Sequence, residues 1–103
     1  MGRLTAEFWV AAYLARLRLA DIPAFVVARG DATAGAVLVK CNTLDGQAAA
    51  FQRRIDPMTG DRPWMELAKG AETAVDAAID RQRGFDPDLW VIEIEDRAGR
   101  HLL

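Results

Sequence analysis

Cysteine and histidine are scarce in this chain of 103 residues, which has one of each, Cys41 and His101. A single cysteine excludes an internal disulfide and any zinc site built from several cysteines. A single histidine excludes every catalytic scheme that needs a histidine pair. No short motif specifies metal ligands, so we expect no metal, no cofactor and no catalytic residue that the sequence alone assigns.

Long apolar runs and an excess of positive charge are also missing. A membrane-spanning helix needs roughly 20 successive apolar residues, and the chain has no such run. The N-terminal segment does not match a secretory signal because Glu7, Arg16 and Arg18 interrupt it. With 13 basic and 15 acidic residues, the net charge is −2, which disfavours a strongly basic nucleic-acid-binding domain. We therefore expect one cytoplasmic domain over residues 1–103.

The apolar patterns that are present predict an α+β domain of order α-β-β-β-α-β-β. Spacings of three and four predict helices over residues 5–20 and 71–83. In the first helix they predict a buried stripe of Leu4, Phe8, Ala11, Ala15 and Leu19, widened by Val10, Leu14 and Leu17. In the second helix they predict a buried stripe of Ala71, Ala74, Val75, Ala78 and Ile79. Strand patterns between turn residues cover residues 24–29, 36–43, 47–54, 89–96 and 100–103. We expect a mainly antiparallel sheet with both helices packed on one face.

A three-residue turn at residues 44–46 fixes the register of the first predicted hairpin. It places Cys41 opposite Ala49 and Val39 opposite Phe51, two apolar pairs on one face of the sheet. Cys41 is then a small buried hydrophobic residue rather than a nucleophile.

A similar turn at residues 97–99 predicts a last hairpin in which acids face bases. Its register places Asp96 opposite Arg100 and Glu95 opposite His101. As a functional site, Glu95 would raise the basicity of His101 for general acid–base chemistry. The alternative is an exposed hairpin whose ion pairs contribute little beyond solubility.

Residues 56–70 are predicted to form a long loop, because proline and glycine recur in them. Arg53, Arg54 and Arg62 flank or enter this loop and could bind a phosphate or a carboxylate. The alternative is that they are strand-edge charges that oppose aggregation. Trp64 would either contact a partner from the loop or, in a short helical turn, fix the loop to the core.

Five segments resemble one known family. They are residues 8–14 (FWVAAYL), 29–30 (RG), 34–37 (AGAV), 85–90 (FDPDLW) and 95–101 (EDRAGRH). In this order they resemble the domain of unknown function 1491, a family of small alphaproteobacterial proteins of about this length. The resemblance implies a stand-alone bacterial cytoplasmic protein and carries over no activity, cofactor or site residue.

Three functions remain open from the residues. The first is a non-catalytic protein-interaction or regulatory module, whose partner is an unknown protein or a second copy of the chain. The second is a small-ligand, anion-binding protein or small enzyme that uses the loop arginines with Glu95 and His101. The third is a nucleic-acid accessory factor, which the acidic charge balance disfavours.

Overall fold

The structure is a computed structural model that describes residues 5–56, 60–61 and 63–103. These residues form two helices and six strands. The helices are α1 (Ala6–Leu19) and α2 (Glu72–Phe85). In chain order the strands are β1 (Ala24–Ala28), β2 (Ala36–Asn42), β3 (Gln47–Asp56), β4 (Gly60–Asp61), β5 (Met65–Ala71) and β6 (Trp90–Glu95).

The strands form a mixed sheet in the order β1-β6-β2-β3-β5, and the two-residue strand β4 pairs with the end of β3. The neighbours β2 and β6 are parallel, whereas the other strand pairs of the described residues are antiparallel. Strands β1 and β5 lie at the two edges. The predicted α+β class and mainly antiparallel pairing are confirmed.

The prediction that both helices pack on one face is wrong, because they lie on opposite faces. Helix α1 packs on Val37 and Val39 of β2, and α2 packs on Ala36 and Leu38 of the same strand. We call these sides the α1 face and the α2 face. Strands β5 and β6 run in the same direction, so the chain between them must cross over one face, and α2 is that crossover. Strand β2 is consequently buried along its whole length.

Helix α1 begins at Thr5, whose side chain accepts a hydrogen bond from the backbone N–H of Phe8 at 3.1 Å. Its buried residues are Ala6, Val10, Tyr13 and Leu17. Phe8 and Leu19, which belong to the predicted stripe, are exposed. The centre of the predicted stripe is therefore exposed, whereas Val10 and Leu17, which widen it, are buried. Leu4 lies outside the described residues. Apolar residues surround most of α1, so residue spacing alone does not select the buried face.

Strand β5 begins inside the segment predicted to be a loop over residues 56–70 and replaces its last six residues. Residues 57–59 and 62 of that segment lie outside the described residues. Strand β5 pairs with β3, with a bulge between Ala50 and Phe51. Trp64 directly precedes this strand, so the helical turn predicted there is not formed. Gly70 lies inside the strand with a φ of 137°, a backbone conformation that side chains rarely adopt. In the sequence, this glycine indicates a turn, but in the structure it lies within an edge strand.

The predicted register of the β2–β3 hairpin is confirmed. Val39 pairs with Phe51, and Cys41 pairs with Ala49. In the turn, Gly46 has a φ of 84°, a left-handed conformation that glycine adopts at little cost.

Residues 100–103 do not form the predicted last strand. Asp96 and Arg100 do meet, with 2.7 Å between Oδ1 and Nη2, but they close a turn rather than a hairpin. The chain then crosses to α1, where the Tyr13 hydroxyl donates a hydrogen bond to the carbonyl oxygen of His101 at 2.7 Å. Leu103 packs against the core of the α1 face. The C-terminal residues therefore cover that face instead of extending the sheet.

Candidate functional site

Of the arginines and the tryptophan predicted to mark a site, the structure describes the side chains of Arg53 and Trp64, which are in contact. Arg62 and the side chain of Arg54 lie outside the described residues. The Arg53 guanidinium stacks 4.8 Å from the ring centre of Trp64 and 5.3 Å from that of Trp9. Trp64 is half-buried and packs against the core of the α1 face. Its contacts connect the chain before β5 to α1, which is the structural role considered for it above.

Glu95 and His101 lie on opposite faces of the sheet, so their predicted pairing is wrong. Ile94 belongs to the core of the α1 face, and alternation along β6 therefore turns Glu95 to the α2 face. The His101 ring lies on the α1 face, 4.7 Å from the ring of Phe51. The general acid–base pair that the last hairpin would have created does not form.

A cleft next to His101 opens on the α1 face. Its volume is about 270 Å³. Its lining includes Cys41, Thr43, Ala49, Phe51, Lys69 and His101. We call it the β3–β5 cleft, because these two strands supply most of its floor and one wall. A backbone hydrogen bond from the N–H of Leu103 to Nδ1 of His101, at 3.1 Å, fixes the imidazole at its rim.

Cys41 lies in the floor of this cleft as a buried free thiol. Burial raises the pKa of the Cys41 thiol, and the negative charge of Asp96 raises it further. A thiol is a poor nucleophile when it stays protonated. The prediction that Cys41 is a small buried hydrophobic residue is confirmed.

Lys40 is a buried ion that sequence reasoning missed. Only 4% of the residue is exposed, on the α2 face of β2. Its Nζ lies 2.7 Å from a carboxylate oxygen of both Glu72 and Asp76, and 3.6 Å from Glu93. Asn42 donates a further hydrogen bond to Glu72 at 3.1 Å. These contacts join β2, β6 and the first two turns of α2.

The charge of Lys40 is maintained by these partners. Burial alone would lower the pKa of Lys40, but the hydrogen bonds to Asp76 and Glu72 and the charge of Glu93 raise it overall. The ammonium is therefore a structural cation and not a free amine nucleophile. Two features of the sequence could have indicated this role: a lone lysine in an apolar strand, and acids four residues apart at the start of a helix.

Strand β1 presents an unusual edge. Its central residues Phe25, Val26 and Val27 are 52%, 39% and 50% exposed. No residue of β1 is charged. Native edge strands are commonly protected by charged residues, proline or an irregularity, and β1 has only a bulge after Val26.

The pairing of β1 with β6 leaves backbone groups of two β1 residues directed outward. The N–H of Glu95 donates to the carbonyl of Pro23 at 3.0 Å, so these two residues form a hydrogen-bonded pair. Antiparallel pairs alternate, which makes Phe25 and Glu93 the next hydrogen-bonded pair. Ala24 and Val26 therefore direct their N–H and C=O groups away from β6, toward the open edge.

No helix among the described residues is long and apolar enough to cross a membrane. In the same residues, no group of three histidine, cysteine, aspartate or glutamate side chains could hold a metal ion.

Fold and surface together define a small α+β domain in which a mixed sheet separates two helices. The chain belongs to the family described as protein of unknown function (DUF1491), whose model matches residues 4–103. The resemblance identified in the sequence is thereby confirmed.

Solved structures agree with this membership. A crystal structure of a DUF1491 family protein from Caulobacter crescentus is 41% identical and has a TM-score of 0.82, covering 97% of this chain and 92% of that chain. An NMR structure of a family member from the same organism is 42% identical and has a TM-score of 0.82, covering 100% of this chain and 94% of that chain. A solution structure of a protein from A. tumefaciens is 31% identical and has a TM-score of 0.75, covering 90% of this chain and 86% of that chain. Comparison with curated proteins gives no match.

Proposed function

We propose that the protein is a non-catalytic interaction module of the cytoplasm that forms a homodimer through the open edge of β1. The observation that carries this proposal is an uncharged edge strand with three adjacent exposed apolar side chains, Phe25, Val26 and Val27. A location in a reducing compartment is supported by Cys41, which is a free thiol.

A second copy of the chain fits this edge because antiparallel pairing is self-complementary. Ala24 of one copy pairs with Val26 of the other, and the reverse pair forms by symmetry. The outward N–H and C=O groups of both residues are then satisfied in both copies. Phe25 lies at the two-fold axis, next to Phe25 of the second copy.

The side chains support the same register. Phe25 is aligned with Glu93 and Lys40, so it lies on the α2 face, beyond the part of the sheet that α2 covers. Phe25 of the second copy lies on the same face, where the two rings form a close cross-strand pair. This edge is smaller than a standard interface, so we expect a dissociation constant of roughly micromolar size.

The first experiment measures the oligomeric state by sedimentation over a range of concentrations. We expect the parent protein to dimerise and Phe25→Lys to be monomeric, because two lysines would meet at the axis. Phe85→Lys is the matched control, since Phe85 is 82% exposed at the end of α2. Val26→Pro removes an outward N–H without removing a β1–β6 hydrogen bond, and it should also give a monomer.

A second experiment tests the register. Phe25→Cys in a Cys41→Ala background should form an intermolecular disulfide on mild oxidation, because facing residues of an antiparallel pair lie within disulfide range. Phe85→Cys should not. A parent protein that is monomeric at every concentration, or equal cross-linking at positions 25 and 85, would refute the proposal.

A further inference from the structure

The β3–β5 cleft exists because helix α1 covers only part of its face. The buried residues of the α1-face core come from α1, the following turn and strands β2 and β6, and none comes from β3 or β5. At the margin of this core, Cys41 and Ala49 pair across the floor with small side chains. The rings of Phe51 and His101 form one wall, with their centres 4.7 Å apart. Lys69, aligned with Ala49, stands on the other side.

The polar groups around the cleft favour a negative charge. Lys69 is exposed, and among the described residues it has no ion-pair partner. Among the described residues, no aspartate or glutamate side chain lines the cleft itself. Asp45 bonds the lining residues Thr43 and Gln47 from outside the cleft, and the charge of Asp96 acts on Cys41. Nδ1 of His101 accepts the hydrogen bond of the Leu103 N–H, so the ring proton is on Nε2, which is a donor. One ammonium and one N–H donor match a single carboxylate.

We propose that the β3–β5 cleft binds a small monocarboxylate with an apolar body. The carboxylate contacts Lys69 and His101, and the apolar body lies against Phe51 over the small floor residues Cys41 and Ala49. The volume of about 270 Å³ equals that of roughly nine liquid waters, which is enough for a ligand of the size of phenylacetate.

This site is independent of the β1 edge. Strands β6 and β2 separate β1 from β3, and the cleft opens on the α1 face, whereas Phe25 lies on the α2 face. Loss of dimerisation by Phe25→Lys therefore leaves ligand binding unchanged. Either proposal can fail without the other.

Titration followed by 15N–1H NMR tests the site with two matched probes. Phenylacetate carries the carboxylate, and phenylacetamide has the same shape without the charge. We expect phenylacetate to shift the amide signals of Gly70 and Gly99, which line the cleft, with a dissociation constant of about 1 mM. Phenylacetamide should bind about tenfold more weakly, because it cannot pair with the ammonium.

Two variants locate the binding. Lys69→Met should weaken phenylacetate about fivefold and leave phenylacetamide unchanged, since only the charged probe uses the ammonium. Arg81→Met is its control, because Arg81 is exposed on α2, on the opposite face. Ala49→Leu should abolish binding of both probes by filling the floor, and its NMR spectrum reports directly whether it is folded.

Each outcome tests either the site itself or the role of Lys69 in it. Shifts confined to the cleft, together with the selective effect of Lys69→Met, support the site. The site would be rejected if saturating phenylacetate left the Gly70 and Gly99 signals unmoved. Equal affinity for the two probes, or an equal loss with Arg81→Met, would reject the role of Lys69.

Discussion

The two faces of strand β2 belong to two different cores. On the α1 face, Val37, Val39 and Cys41 meet the large side chains of α1 and β6 in an apolar core. On the α2 face, Ala36 and Leu38 meet Val75 and Ile79 in a second apolar core, which ends at the buried ammonium of Lys40. There the ammonium of Lys40 is held between Glu72 and Asp76.

The difference shows that neighbouring residues of one strand are stabilised by different interactions. The α1 face depends on apolar burial, which tolerates no charge. The α2 face includes a buried ammonium whose carboxylate partners remain partly in solvent, since the side chains of Glu72 and Asp76 are 35% and 50% exposed. Substitutions on one strand should therefore have very different effects, depending on the face they change.

A charge on the α1 face should have the largest effect. Val39→Asp buries a carboxylate without a partner at a position that is fully buried. We expect a loss of more than about 4 kcal/mol in the free energy of unfolding, which unfolds a domain of this size. Leu44→Asp is the control, because Leu44 is exposed in the β2–β3 turn. Equal melting temperatures for Val39→Asp and the parent would show that the α1 face is not a closed apolar core.

Loss of the charge on the α2 face should have a smaller effect. Lys40→Met keeps an unbranched side chain of similar length but removes the partner of Glu72 and Asp76. Breaking a fully buried ion pair costs more, but here water can solvate the two carboxylates, so we expect about 2 kcal/mol by urea unfolding. If Lys40→Met were as unstable as Val39→Asp, a change of charge would destabilise the two faces equally.

The difference in unfolding free energy between the parent and Lys40→Met should depend on pH, because the pKa of Lys40 is raised in the folded protein. Because the folded protein binds the proton more tightly than the unfolded chain, the stabilisation is fully present below the ordinary value of 10.5. It is lost as the pH rises through the higher value of the folded state. The gap in unfolding free energy between the parent and Lys40→Met should therefore narrow above pH 10.5 and stay constant near neutrality. A gap that widens in alkali would contradict the proposed ion pairs.

A single hydrogen bond on the α1 face should have the smallest effect. Burial raises the pKa of Tyr13 far above its ordinary value, so the phenol is a permanent donor to the carbonyl of His101. Tyr13→Phe should cost about 1 kcal/mol and loosen the C-terminal residues. Faster hydrogen exchange at the Leu103 amide would show this, because that amide bonds the imidazole of His101. Unchanged exchange would mean that Tyr13 does not hold this segment.

Local signals account for the parts of the structure that were predicted correctly. The turn at residues 44–46 and the alternation around it were enough to pair Val39 with Phe51. In α2, the predicted stripe is confirmed at Val75, Ala78 and Ile79, because the opposite side of that helix is polar, but Ala71 and Ala74 are exposed. The buried state of Cys41 followed from the same hairpin register.

The error in the sheet topology concerns partners that are distant in the chain. The parallel pairing of β2 with β6 joins segments about fifty residues apart in the chain, as Val37 with Trp90, and no local pattern specifies it. The site predictions had errors of their own, because they assumed which residues are neighbours in the fold. Glu95 was placed opposite His101 from a turn alone, and the ion cluster around Lys40 was missed because its partners come from α2 and β6.

The sequence by itself determined which segments become helices, the cap at Thr5 and the register of one hairpin, because these depend on contacts within a few residues. Only the tertiary structure decided which side of α1 is buried, that the helices lie on opposite faces, and that Met65–Ala71 is an edge strand. Those outcomes depend on which distant surfaces exclude water together. A side chain such as Phe8 can be exposed, and one such as Lys40 buried, because the assembled sheet and helices set the surroundings of each residue.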